Sequence, residues 1–346
     1  MYPHTKLISL TSIVLGSTIT MSSNHWILAW TGLEINTLAT IPLISKSHHP
    51  RAVEASIKYF LVQASASALM LFSSMINAWD TGQWDITQLT NPTSSLLLTA
   101  SIAMKLGLVP FHFWFPEVLQ GTSLTTALLL STIIKLPPLT ILILISSSLN
   151  PTILTLMAIA STMIGGWMGL NQTQTRKILA FSSISHLGWT TTIIIYNPNL
   201  AILTFSLYMI MTTPVFLSLN STKTTNLSTL MTSWTKAPAL NTSLMLTLLS
   251  LAGLPPLLGF LPKWMILQEL SIQEMTPTAI IISMLSLLGL FFYLRLTYHS
   301  TIILAPNSSN YMKLWYTNKT MHTPTAILTS LSIALIPLAP MILSMF

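Results

Sequence analysis

The chain contains no cysteine, and this absence removes several kinds of site at once. Disulfides, cysteine-ligated iron–sulfur clusters and thiolate metal sites all need the missing thiol. The glycine spacings GxGxxG and GxxxxGKS/T are also absent, so the sequence predicts no phosphate-binding loop for a dinucleotide or a triphosphate. We therefore expect no cofactor-binding and no metal-binding residues in this chain.

Charged side chains are nearly as rare. They make up 6% of the 346 residues, hydrophobic residues make up 51%, and the mean hydropathy is +0.69. A soluble domain carries about 25% charged residues, so the composition predicts a protein that crosses a membrane many times. The formal net charge of +7 comes from residues that lie mostly between apolar runs. That placement fits membrane orientation better than nucleic-acid binding.

Turn-type residues divide the apolar sequence into segments of membrane-spanning length. About 20 apolar residues cross the hydrocarbon core as a helix, and Asn–Pro, Ser–Ser–Asn and His–His–Pro groups separate such runs. We predict an all-α protein of about eleven transmembrane helices. The predicted spans are 3–21, 25–44, 54–78, 93–116, 123–146, 150–170, 177–196, 199–219, 241–270, 276–300 and 324–344.

The loop charges predict the orientation of these spans. Basic residues follow or end the even-numbered spans: Lys46, Arg51, Lys58, Arg176, Lys177, Lys223, Lys236, Arg295, Lys313 and Lys319. The odd-numbered loops carry acidic residues instead: Asp80, Asp85, Glu269 and Glu274. Basic loops face the inner compartment, so we expect the N-terminus on the inner side and the C-terminus on the outer side.

Two predicted spans contain residues that interrupt a helix. Span four contains Pro110, and span nine contains Gly253, Pro255 and Pro256. Proline removes a helix hydrogen bond and clashes with the preceding turn. Interrupted helices at corresponding places in two halves of a chain are typical of an inverted repeat. We predict one five-helix unit at about 1–147, an inverted second unit at about 150–300, and a final helix at about 324–344.

Four charged residues lie inside apolar runs: Glu34, Lys105, Lys135 and Lys263. A charge near the bilayer centre costs at least ~2.5–3.5 kcal/mol, and such residues mark ion or proton paths. Burial disfavours the ammonium form of a lysine and a nearby carboxylate favours it. A lysine whose carboxylate partner moves therefore has a switchable proton affinity, which is what a proton pump requires.

Other ionisable residues have a simpler alternative. Long stems let Lys58 and Arg295, near span ends, reach the membrane interface, so we expect structural roles there. His112 lies in the interruption of span four and His186 lies in the middle of span seven. Each can relay protons, or each can be a helix-packing residue.

Three segments carry a family resemblance: MKLGLVPFHFWFPEV at 104–118, SSISHLGW at 182–189 and LAGLPPLLGFLPKW at 251–264. Together they resemble the chain 2 family of NADH–ubiquinone oxidoreductase, the antiporter-like membrane subunits of mitochondrial respiratory complex I. The resemblance covers essentially the whole chain. It implies that Glu34 pairs with Lys105, that Lys135 is the middle of a polar axis, and that Lys263 is its terminal residue.

The resemblance also implies the setting of the protein. The chain would be a proton-translocating subunit of an NADH:ubiquinone reductase in the mitochondrial inner membrane. FMN, iron–sulfur clusters and ubiquinone would be bound by partner subunits. Other membrane-arm subunits, accessory subunits and phospholipids such as cardiolipin would be its neighbours. Two alternatives stay open, namely a subunit of a cation/proton antiporter and a structural scaffold that does not pump.

Overall fold

The computed structural model describes residues 3–47, 49–235, 237–302, 323–335 and 337. In these ranges the chain is helical, and its extended pairing is limited to two isolated bridges between single residues. The prediction of an all-α protein is confirmed. The chain divides into two compact units, residues 1–161 and residues 162–346.

Unit 1 consists of helices joined by short connections. They are α1 (Pro3–Ser22), α2 (Trp26–Ile44), α3 (Pro50–Thr81), α4 (Pro92–Leu106), α5 (Trp114–Gly121), α6 (Leu124–Ser131) and α7 (Leu136–Leu144). The unit boundary lies within α8 (Pro151–Gly169).

Unit 2 continues with six further long or medium helices and one short one. They are α9 (Thr175–Ile194), α10 (Pro198–Thr222), α11 (Leu227–Met231), α12 (Pro238–Ala252), α13 (Phe260–Ile272), α14 (Thr276–Thr297) and α15 (Thr323–Ala334). A short π-helical segment, Tyr298–Ile302, extends α14.

Several helices begin where the sequence places an Asn–Pro pair. The side chain of Asn91 accepts a hydrogen bond from the Thr93 N–H, and that of Asn197 accepts one from the Leu200 N–H. Proline occupies the first turn of both helices, where its missing N–H costs nothing. An asparagine cap followed by proline therefore explains why α4 and α10 begin at these points.

Six helical stretches are long and apolar enough to cross a membrane, within the residues described. They are Trp26–Ile44, Pro50–Thr81, Leu124–Leu144, Pro151–Gly169, Pro198–Thr222 and Thr276–Ser300. Two of the predicted spans, 93–116 and 241–270, are each divided into two shorter helices. The last predicted span begins at α15, but its later part lies outside the described residues, as do Lys236, Lys313 and Lys319.

The two divided spans end their first halves in the same way. Gly107, with φ 77°, follows the last residue of α4, and Gly253, with φ 81°, follows the last residue of α12. A left-handed glycine terminates a helix at no steric cost, because it has no Cβ. Pro110 lies between α4 and α5, and Pro255 and Pro256 lie between α12 and α13.

A third interruption was not predicted. Span five, at 123–146, was expected to be continuous, but α6 ends at Ser131 and a 3₁₀ turn at Ile133–Lys135 precedes α7. Pro137 and Pro138 follow at once. Because a proline supplies no N–H to the preceding turn, the α-helical hydrogen bonding is lost there, and Lys135 lies inside the interruption.

Small residues allow α1 and α2 to approach at backbone distance. A Cβ atom added at Gly16 would lie 2.8 Å from the carbonyl oxygen of Gly32, and one added at Gly32 would lie 2.9 Å from that of Gly16. Close backbone approach through small residues is typical of helix pairs in membranes. Because neither glycine has a side chain, the α2 helix, which carries Glu34, packs directly against the backbone of α1.

We expect Gly32→Ala to destabilise unit 1, because neither backbone can yield easily to the added methyl group. Overpacking of this kind costs about 1–3 kcal/mol. The amount of assembled protein and its thermal inactivation rate would measure the loss. Gly289→Ala is the matched control, since a Cβ atom there meets nothing nearer than Phe292 Cε1 at 3.9 Å. Equal stability of the two variants would contradict this account of the α1–α2 contact.

Candidate functional site

Lys105 is buried at the C-terminal end of a helix. It lies in the last turn of α4, and its side chain is 5% exposed. The carbonyl end of a helix carries partial negative charge, which favours a cation there. Its Nζ has no hydrogen-bond partner in the described part of the chain. The ammonium group is therefore held in place by its surroundings and by electrostatics, without a direct bond.

Glu34 is the carboxylate that acts on Lys105. It lies in the middle of α2, and the two side chains interact electrostatically. Glu34 and Lys105 do not form an ion pair within 4.0 Å in the described structure, unlike Lys58 and its two glutamates. The Oε2 atom of Glu34 is buried and has no hydrogen-bond partner there either. The structure thus places the predicted pair within electrostatic range of each other but not in direct contact.

A buried tyrosine shares this region and was missed from the sequence. Tyr59 of α3 is fully buried, and its hydroxyl interacts electrostatically with the Glu34 carboxylate. Its ring meets that of Trp114 edge-on, with centroids 5.7 Å apart. The Trp114 indole donates a hydrogen bond of 3.1 Å to the carbonyl of Met104, in the last turn of α4. The tryptophan therefore caps the helix end that carries Lys105.

Lys135 is buried against an aromatic ring. Its side chain is 2% exposed, and its Nζ lies 3.9 Å from the centroid of the Phe115 ring. A cation over a ring face gains up to about 2 kcal/mol when desolvated. Phe115 lies in the first turn of α5. The interruption before α7 and the start of α5 therefore meet at this lysine.

His112 lies between α4 and α5. Its side chain is 2% exposed, and neither ring nitrogen has a hydrogen-bond partner among the residues described. Buried polar atoms are normally paired with protein or with ordered water. The histidine therefore has the capacity to exchange a proton with a water molecule.

Lys263, in unit 2, forms a direct hydrogen bond with a helix end. Its Nζ donates a bond of 2.7 Å to the carbonyl oxygen of Ala252, the last residue of α12. The same nitrogen lies 5.9 Å from the centroid of the Trp189 ring. A cation that caps a helix C-terminus satisfies an orphan carbonyl and complements the dipole. The ammonium form of Lys263 therefore stabilises the break after α12.

His186 lies near Lys263 on α9. Its Nε2 atom is 3.5 Å from the Tyr293 hydroxyl, and its ring centroid is 5.1 Å from that of Tyr208. His186, Tyr293 and Lys263 line one small cavity in unit 2. The structure therefore brings the second predicted histidine together with the lysine that follows the second break. Tyr293 and Tyr208 were missed from the sequence, where each reads as a packing residue in an apolar run.

Lys58 and Arg295 have structural partners. The Lys58 ammonium is 2.5 Å from Glu54 and 2.7 Å from Glu117, and the three side chains are 40–61% exposed. The Arg295 guanidinium donates hydrogen bonds to the carbonyls of Leu170 and Gln172, just after α8. Both residues therefore stabilise connections between elements.

Charges and metal ligands are distributed sparsely. Glu34, Lys105 and Lys135 belong to unit 1, and Lys263 and His186 belong to unit 2. Three or more His, Asp or Glu side chains do not gather into a group that could hold a metal ion, within the described ranges. What the arrangement offers is a set of buried and half-buried proton-binding groups, with the three lysines at helix ends and interruptions.

Known proteins share this sequence and fold. The family model described as NADH:quinone oxidoreductase/Mrp antiporter, TM, matches residues 23–289, and the model described as NADH dehydrogenase subunit 2 C-terminus matches residues 290–343. NADH-ubiquinone oxidoreductase chain 2 of Struthio camelus is 76% identical over 344 residues, which are 99% of each chain. The Gallus gallus chain 2 is 74% identical over 345 residues, which are 100% of each chain.

Solved structures share the fold at lower identity. A chain of respiratory complex I from Thermus thermophilus matches with TM-score 0.82 at 24% identity, covering 96% of this chain and 79% of that one. A chain of the Mrp complex from Dietzia sp. matches with TM-score 0.78 at 17% identity, covering 96% and 74%. The resemblance predicted from the three motifs is confirmed. The chain therefore belongs to the family of NADH:quinone oxidoreductase and Mrp antiporter membrane subunits.

Proposed function

We propose that this chain is the chain 2 subunit of an NADH–ubiquinone oxidoreductase and that it carries protons across the mitochondrial inner membrane. The observation that carries the proposal concerns two buried atoms, Nζ of Lys105 at the end of the interrupted helix and Oε2 of Glu34, neither of which has a hydrogen-bond partner among the described residues. Relatives of that name are 76% and 74% identical over nearly the full length of the chain, which supports the assignment to the complex. The proton-carrying role is supported by the cost of burying such charges without a direct bond.

The proton path would use the groups in sequence. Because Glu34 and Lys105 are coupled without contact, a small movement of either changes how firmly Lys105 holds its proton. A proton released there would pass towards Lys135, with His112 as a further exchange group, and Lys263 with His186 would serve the second unit. The direction would be outward, coupled to electron transfer in other subunits.

The finer architecture belongs to the same proposal. We propose about eleven transmembrane spans, two five-helix units related as inverted copies, and a final helix. The support is local: α4 and α12 are each 15 residues long, begin with proline and end at a left-handed glycine. The loop charges support an N-terminus on the matrix side and a C-terminus on the intermembrane-space side.

Partners and cofactors follow from the assignment. Other membrane-arm subunits, accessory subunits and phospholipids such as cardiolipin would surround the chain. FMN, iron–sulfur clusters and ubiquinone would be bound by partner subunits, and the enzyme would be a proton-translocating reductase.

A cation/proton antiporter subunit is the second candidate, favoured by the shared fold with the Dietzia Mrp complex chain. Sodium-driven proton flux by the isolated chain would favour that candidate over the first.

We expect Lys105→Ala and Glu34→Gln to lower proton pumping in the assembled complex. Loss of a positioned proton-transfer group slows its step by about 10²–10⁴-fold in enzymes, so the protons that this chain carries should be lost from the total. The proton-to-electron ratio in sealed vesicles is the measurement, and Lys46→Ala, at an exposed position, is the matched control. A normal ratio in fully assembled Lys105→Ala complex would defeat the pumping role.

We expect a much smaller effect from Lys58→Ala. Its two ion pairs are exposed, and solvent and salt screen such pairs. The proton-to-electron ratio should stay normal, while thermal stability at low salt should fall slightly. A loss of pumping as large as that of Lys105→Ala would show that Lys58 belongs to the proton path.

A further inference from the structure

The cavity in unit 2 joins residues from separate helices. It has a volume of ≈ 20 Å³ and is lined by Lys263 of α13, His186 of α9, Tyr293, Ser286 and Gly289 of α14, and Thr162 of α8, with others. A space of roughly 10–15 Å³ on this measure accommodates one water molecule, provided that polar partners surround it. The hydroxyl, imidazole and ammonium groups here supply those partners. The cavity is therefore suited to one bridging water.

Tyr293 brings its hydroxyl to this cavity from a helix that is otherwise apolar. The outward side of α14 is exposed and apolar, as at Met284, Leu287 and Phe291, whereas Tyr293 is 2% exposed. A buried tyrosine hydroxyl needs a hydrogen-bonding partner, which a phenylalanine of the same shape would not. The hydroxyl lies 3.5 Å from Nε2 of His186, and Ser182 on α9 is a second hydrogen-bond partner. Because a tyrosine hydroxyl can donate and accept at once, it can bond to the imidazole and to the cavity water together.

The hydroxyl can adapt to both charge states of the imidazole. When His186 is neutral with its proton on Nδ1, the tyrosine O–H can donate to Nε2. When His186 is an imidazolium, Nε2 carries a proton and the tyrosine oxygen can accept from it. The ring therefore keeps one orientation while it gains or loses a proton. Lys263, already bonded to the Ala252 carbonyl, has further N–H bonds available for the water.

We propose that Tyr293 is a proton-relay residue that links His186 to Lys263 through its hydroxyl and one water in this cavity. The inference rests on the proposed function. In the exchange, the Lys263 ammonium gives a proton to the water, the water gives one to the Tyr293 oxygen, and the Tyr293 O–H gives its own proton to Nε2 of His186, so a neutral lysine and an imidazolium result and the water and the tyrosine are unchanged. The titratable groups near His186 include Tyr208 on α10, Tyr293 on α14 and Lys263 on α13, among the residues that the structure describes.

Gly289 provides an independent way to test the water. It lies one turn before Tyr293 on α14 and lines the same cavity. A Cβ atom there would meet only Phe292 Cε1, at 3.9 Å. Valine has a higher helix propensity than glycine, and its Cβ atom has room, so Gly289→Val should place apolar atoms at the cavity while α14 stays helical.

The test uses the assembled complex in sealed vesicles. Tyr293→Phe removes the hydroxyl, and Tyr298→Phe, at an exposed position just after α14, is its matched control. We expect coupled turnover to fall about 10²-fold in Tyr293→Phe, within the 10²–10⁴-fold typical of a lost proton-transfer group, with a shifted pH profile. Gly289→Val should behave in the same way, and Tyr298→Phe should match the unaltered protein. In a His186→Asn background, Tyr293→Phe should add nothing, because both act on one step.

Lys105→Ala, measured in parallel, separates the two proposals. If Lys105→Ala lowers the proton-to-electron ratio while Tyr293→Phe changes neither the ratio nor the pH profile, the role of Tyr293 is overturned and the proposed function stands. If Tyr293→Phe reduces only the amount of assembled complex, its role is packing, and the inference is likewise wrong. If neither variant alters pumping, the proposed function fails and the inference fails with it.

Discussion

A helix that ends inside a membrane must find hydrogen-bond donors for its last carbonyl groups, and the rest of this structure depends on how two such ends are satisfied. Unsatisfied backbone groups cost several kcal/mol in hydrocarbon. At the end of α4 the indole of Trp114 donates to the Met104 carbonyl, and at the end of α12 the ammonium of Lys263 donates to the Ala252 carbonyl. The same backbone problem is thus solved by a neutral donor in one unit and by a charged one in the other.

This difference sets what each lysine can do. Because Trp114 already serves the end of α4, the ammonium of Lys105 has no backbone bond to break when it loses its proton. Lys263 is itself the cap, so its charge and the conformation of the segment after α12 are linked. In the first turn of α5 the proline is followed by Glu117. At the corresponding place in α13, Pro262 is followed by Lys263. Glu117 pairs with Lys58, and an ionised carboxylate has no proton to donate to a carbonyl, so another residue must cap α4.

Much of the helix pattern could be predicted from the sequence because its signals are local. Asn–Pro pairs mark the starts of α4 and α10, and Gly107 and Gly253 end helices because of their backbone freedom. The interruption that contains Lys135 was missed, since Pro137 and Pro138 are equally typical of the first turn of a helix. Rare charges in apolar runs were easy to find in the sequence, and the structure buries Lys105 and Lys135.

The features that could not be predicted from the sequence are long-range contacts. Tyr59 and Tyr293 look like packing residues in an apolar run, and only the fold shows which charged or titratable group each one faces. The second partner of Lys58 lies on another helix, so sequence spacing could not indicate it. Gly253 illustrates the same point for inherited variation. By charge and hydropathy its replacement by alanine looks benign, yet the new Cβ atom would lie 2.8 Å from the Lys263 ammonium nitrogen. Variants at this glycine should therefore be classified together with those of the lysine.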